Sequence, residues 1–266
     1  MNLVELAMIA LPLGLFCTML AATAVGHRLA IAMAGRPDAV GSTGASAIDA
    51  AVLGLLGLLV AFWFNFAGER LQTRRDLIVE EANAVGTAWL RLDLLPDDAP
   101  PEDVRDLFRQ YVDVRLAQLP EAGRTDSVES QAAHLTGLRN AIWQRCVAAS
   151  PRCASAPAAA LLLDSLNAMF DAGTRHIAAL NAHTPLAILV LLVVVAIFAA
   201  LLAGHDMGVQ KRFRWLHAIA LAGVVSLTIW IIYDLEMPRY GLIRVDDFDQ
   251  VLRDVRSDMN PTAAGR

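Results

Sequence analysis

Apolar residues crowd into four stretches of this chain, residues 3–25, 46–68, 186–204 and 215–233, each long enough to cross a bilayer as a helix. Between the second and third stretches the pattern changes. Val104, Leu107, Phe108, Tyr111, Val112 and Leu119 recur at three- and four-residue steps, as do Val128, Leu135, Leu138, Ile142 and Cys146, and then Leu162, Leu166, Met169, Phe170, Ile177 and Leu180. That period predicts three amphipathic helices, and no alternating strand pattern interrupts them. In the first span, Pro12 predicts a local kink. Glu5 and the lack of Lys or Arg before the apolar run argue against a cleaved signal peptide. Thr184 and Pro185 predict a helix N-cap and a first helical proline opening the third span.

The second span does not stop where a membrane would end it. AIDAAVLGLLGLLVAFWFNFAG runs straight into ERLQTRRDLIVEEANAVGTAWLRLDLL, and no proline occurs before Pro96. One helix of about 50 residues is expected, roughly 75 Å long, more than twice a hydrocarbon core. Gly54, Gly57, Ala61 and Gly68 form a small-residue stripe, the kind that admits a close neighbour in lipid. On another face, Leu55, Leu58 and Phe62 lead into Asn65, Glu69, Asp76 and Glu80. The apolar part suits a pore neck, lipid or a packed neighbour. The polar continuation favours a face turned to water or to a bundle interior.

Composition agrees with a membrane protein: 56% of residues are hydrophobic, above ordinary globular usage. A net charge of -5 without a basic stripe argues against nucleic acid as a partner. Cys146 and Cys153 flank a predicted helix end, where a disulfide and two free thiols are both open; Cys17 lies in the first span. No metal-ligand spacing and no phosphate-binding or hydrolase motif occurs, so neither cofactor, metal site nor enzyme activity is expected. His176 and His183, seven residues apart, suit capping or surface roles. Asp234, Glu236 and Arg239 close the fourth span, with Arg244 beyond, and Glu69 and Arg70 leave the second on the same side. They read as a charged ring at a pore mouth or as ion pairs fixing helix ends. The short loops carry Arg28, Arg36, Lys211, Arg212 and Arg214, which favours placing those loops in the cytoplasm and the helical insert outside.

Three separated stretches, LLGLLVAFWFNFAGERLQTRRDLIVEEANAVGTAWLRLDLLP, LNAHTP and DLEMPRYGLIRV, resemble in order a family of bacterial bestrophin-like membrane proteins, and more distantly the bestrophins, pentameric ion channels. The resemblance implies two spans, a helical domain and two further spans, with the second span lining a pore in a bacterial inner membrane. Leu58 and Phe62 fall where neck residues lie, Asn65 at a neck-end asparagine and Arg70 at an arginine. Gly54 stands where the neck is bulky, Leu71 and Gln72 replace a tryptophan pair, and the orientation argued from the loops is opposite to that of bestrophins.

The expected protein is therefore all-α, with spans 1 and 2 in residues 1–68, an extramembrane helical domain in 69–183, spans 3 and 4 in 184–234, and a charged tail in 235–266. The expected activity is a cation-leaning channel of several identical subunits, with lipid and inorganic ions as its other partners. A non-conducting scaffold whose insert binds another protein, or a membrane sensor, is the alternative.

Overall fold

The computed structural model describes residues 3–33, 42–96, 101–121, 125–182, 184–237 and 246–260. Its regular elements are helices α1 (Leu3–Met33), α2 (Ser42–Arg91), α3 (Pro101–Glu121), α4 (Thr125–Ala149), α5 (Ala156–Asn181), α6 (Leu186–Val209), α7 (Trp215–Glu236) and α8 (Asp246–Asp258), with short 3-10 turns at Leu92–Leu94 and Ser150–Arg152. No strand occurs among the described residues. Among the described residues, four helices are long and apolar enough to cross a membrane. The chain divides into two compact units, Met1–Leu71 with His183–Ile243, and Gln72–Ala182 with Arg244–Arg266. α2 is unbroken and contributes to both.

In the first unit α1 packs chiefly against α6, and also against α7. Both helices of the main pair outrun their expected apolar stretches, α1 to Met33 and α6 to Val209. Packing explains the extra turns. A β-carbon at Gly204 would lie 2.0 Å from the Thr23 carbonyl oxygen, and one at Gly26 would lie 2.0 Å from that of Leu201. At Gly208 it would meet Ala30 Cβ and the His27 carbonyl oxygen, each at 2.6 Å. Gly204 and Gly208 are four apart, the small-xxx-small spacing that brings helix backbones together in lipid. The stripe expected on α2 does not do this within the chain: nothing lies within 4 Å of a β-carbon built at Gly54, Gly57 or Gly68.

α6 ends in a Schellman motif: Arg212 N–H donates to the Met207 carbonyl and Lys211 N–H to that of Gly208, with Lys211 at a φ of 52°. At its other end, the expected N-cap is replaced. α6 begins at Leu186 after Pro185, without a side-chain cap, because the Thr184 hydroxyl is engaged elsewhere.

The second unit is a helical bundle with one apolar core. Val85 and Ala88 of α2, Phe108 and Val112 of α3, Ile142 and Cys146 of α4, Leu166 and Met169 of α5 and Leu252 of α8 are all buried in it. α8 belongs to the tail expected to be charged. It packs on α3, and Arg256 grips Asp113 through two hydrogen bonds of 2.7 and 2.9 Å. Arg74, 2% exposed, donates to the carbonyls of Ala179 and Ala182 and so serves the open C-terminal end of α5. Cys146 and Cys153 are free thiols, and burial, then the neighbouring Cys153, pushes the Cys146 thiol up to about 12.

Candidate functional site

α2 turns about 100° per residue, so positions seven apart drift by only about 20° per step. Asp49, Leu56, Trp63 and Arg70 stand at that spacing. Leu56 and Trp63 are each 3% exposed, which makes this line the face α2 presents to its own chain. Leu55, Leu58 and Phe62 lie on the far side and are 48, 52 and 54% exposed. The aromatic residues near the end of the stretch divide the same way: Trp63 is covered, while Phe62, Phe64 and Phe66 are not. On the bare side Asn65 Nδ2 donates to Glu69 Oε1 at 3.0 Å, one turn on.

The inward line ends in a polar knot. Thr184 Oγ1 accepts from Trp63 Nε1 at 3.3 Å and from Arg70 at 2.6 Å, and donates to Glu236 Oε1 at 2.6 Å. One donor and two acceptors are all a hydroxyl has, so Thr184 is saturated. Arg70 also pairs with Glu236 directly, and Glu236 and Asp234 are 5% and 2% exposed. Three pieces of chain meet there: the end of the apolar part of α2, the residues before α6, and the last turn of α7. They also come from the three sequence stretches singled out above, FWFNFAGER, LNAHTP and DLEMPRYGLIRV. Arg239 and Arg244, expected at the same edge, lie outside the described residues, as does His183.

In the second unit, Gln72 Nε2 donates to Asp76 at 2.9 Å, and Glu80 pairs with Arg175 at 2.5 Å, both partners about half exposed. Next to Glu80 the helix turns inward, and Glu81 is 1% exposed. Arg115 holds it with two hydrogen bonds of 2.6 and 2.8 Å, and His176 Nδ1 lies 2.6 Å from Oε2, the oxygen that accepts the longer of the two. Arg115 and His176 are 1% and 0% exposed, so all three are fully buried. Burial alone would lower the Arg115 pKa, but the charge and hydrogen bonds of Glu81 outweigh it and raise it. Burial, and then the Glu81 charge, pushes the Tyr111 hydroxyl beside them up to about 12.

This buried trio escaped the sequence reading. His176 was expected at a surface or cap, and its helix position beside Phe170 and Gly173 was the available signal. Glu81 and Arg115 look like ordinary charges on amphipathic helices. The clue was positional: Glu81 continues the inward line of Arg74, Ile78, Val85 and Ala88, all buried.

The sequence pattern of the Bestrophin-like domain matches residues 11–248, from α1 into α8. The chain belongs to the bestrophin-like family. Neither a curated protein nor a solved structure matches it. In this bestrophin-like chain the matched region contains every residue of the bare face and of the Thr184 knot. Chemically, the knot ties the middle of α2 to the start of α6 and the end of α7 with charge-assisted bonds, while the bare α2 face offers bulky apolar side chains followed by an amide and a carboxylate.

Proposed function

We propose that this bestrophin-like chain is one subunit of an oligomeric ion channel, with α2 innermost and Leu55, Leu58 and Phe62 forming an apolar neck. One observation carries the reading: α2 is anchored on one side by Trp63 and Arg70, and the opposite side is left bare by its own chain. Lipid would suit the leucines and Phe62. It would not suit Asn65 and Glu69 on the same line, since polar groups near membrane depth face protein or water. Copies of the same helix around an axis satisfy both halves, and the bestrophins that this family resembles are pentameric ion channels. Glu69 and Asp76 give the mouth a cation preference, to which Glu80 adds less because Arg175 shares its charge. Residues 69–183 form the extramembrane domain, on the side opposite the short basic loops.

Cysteine cross-linking tests the bare face. In a Cys-free background, Leu58→Cys should yield covalent dimers on mild oxidation, whereas Val190→Cys on the exposed side of α6 should not. Equal yields would place Leu58 in lipid. For selectivity, reversal potentials of the reconstituted protein in asymmetric salt should show a cation preference, and an anion preference overturns it. For sidedness, a Cys17→Ala protein should react through half-buried Cys153 with an impermeant maleimide in cells with a permeabilised outer membrane; labelling only after lysis reverses the orientation. The open stripe at Gly54, Gly57 and Gly68 favours a second reading, in which copies pack so closely through α2 that the axis is closed and the protein is a scaffold. Cross-linking without ion flux is its signature.

A further inference from the structure

At the end of the spans opposite Thr184, α2, α6 and α7 enclose a cleft of about 450 Å³ within the first unit. That is the size of a small-ligand site. Its lining is layered. Asp49 stands one turn before Leu53 on α2, Asp206 one turn after Leu202 on α6, and His217 one turn before Leu221 on α7. On each helix the polar residue is the one nearer the helix end, so a charged rim sits over an apolar floor. Gln210 and Arg214 complete the rim, and Gln210 Nε2 donates to Asp206 Oδ2 at 2.8 Å.

The rim carries both signs, carboxylates from α2 and α6 and a guanidinium and an imidazole from the start of α7. Asp49 lies on the inward line of Leu56 and Trp63 rather than on the bare face, so the cleft opens between helices and away from the neck. Polar over apolar is also the layering of a bilayer interface. We propose that this cleft is a binding site for a phospholipid whose headgroup carries a phosphate and a primary ammonium. Arg214 takes the phosphate, as guanidinium does bidentately. Asp49 and Asp206 take the ammonium N–H groups, and the first methylenes of an acyl chain lie on Leu53, Leu202 and Leu221. A trimethylammonium head lacks the N–H donors, and a glycerol head lacks the positive charge. Both are therefore disfavoured.

The site does not depend on conduction. The test is native mass spectrometry of the full chain in detergent with an equal mixture of phosphatidylethanolamine, phosphatidylcholine and phosphatidylglycerol. Wild-type protein should retain the ethanolamine lipid about fivefold over each of the others, the ratio that one partly exposed charge-assisted bond supplies. Asp49→Asn with Asp206→Asn should abolish that preference, and Arg214→Gln, at an exposed position, should lower retention of all three. Chain-free glycerophosphoethanolamine at equal concentration should displace nothing. Equal retention of the three lipids, a preference unchanged in the aspartate variant, or displacement by the chain-free head would each overturn the proposal.

Discussion

Thr184 serves three partners with one hydroxyl, and its loss would be felt by all of them. Thr184→Val keeps the shape but leaves the Trp63 indole, one Arg70 N–H and one Glu236 oxygen short of a bond in a partly buried site. An orphaned buried polar group costs about 1–3 kcal/mol, so the variant should unfold at clearly lower temperature in detergent, while Thr184→Ser should stay near wild type. A capping role would instead make the loss modest and would leave Arg70→Ala unaffected by the Thr184 background; a double-mutant cycle separates the two. At this scale little of the site was legible from the chain. Thr-Pro before an apolar run has the form of a cap, and only the fold reveals that Glu236 and Arg70 arrive to claim the hydroxyl first. Glu81, Arg115 and His176 were hidden for the same reason. Charged residues enter a core only when their partners enter too, and those partners are 34 and 95 positions away along the chain.

Elements were far more readable than residues. Apolar stretches and three- and four-residue spacing anticipate α1 to α7, because these signals are local and need no partner. What spacing does not tell is which helix meets which. The glycine stripe of α2 and the Gly204–Gly208 pair of α6 have the same form, yet only the second is closed against a helix of the same chain. A methyl group at Gly204 would sit 2.0 Å from a backbone oxygen, and a backbone cannot swing aside as a side chain can. Gly204→Ala must therefore part α1 from α6. Overpacking of this kind costs about 1–3 kcal/mol and sometimes more, so the melting temperature in detergent should fall markedly. Gly54→Ala has open space in the isolated chain. It should leave the stability of the subunit unchanged, and if it weakens the assembly the α2 stripe is an interface between copies. The ratio of monomer to oligomer at matched concentration reads this out.

At the scale of the whole molecule, the sequence carried the family, the four spans and the all-helical fold, whereas the proposed neck depends on whether and how copies meet, which no single chain encodes in view. Phe62 is the residue on which that question turns. It is the largest member of the bare line, 54% exposed, and it stands three residues before Asn65, where the face becomes polar. If several copies place Phe62 around one axis, their rings form an apolar constriction that gates by excluding water. Phe62→Ala would widen it and lower the barrier to wetting, so single-channel conductance or open probability should rise while the proposed cation preference, assigned to Glu69 and Asp76 beyond it, stays the same. Phe62→Trp should reduce flux. Subunit stability should barely change in either variant, because the ring touches little of its own chain, and this separates a gate from a packing residue. A Phe62→Ala channel with unaltered flux would remove Phe62 from the gate and shift the constriction to Leu58 and Leu55, one and two turns towards the start of the helix.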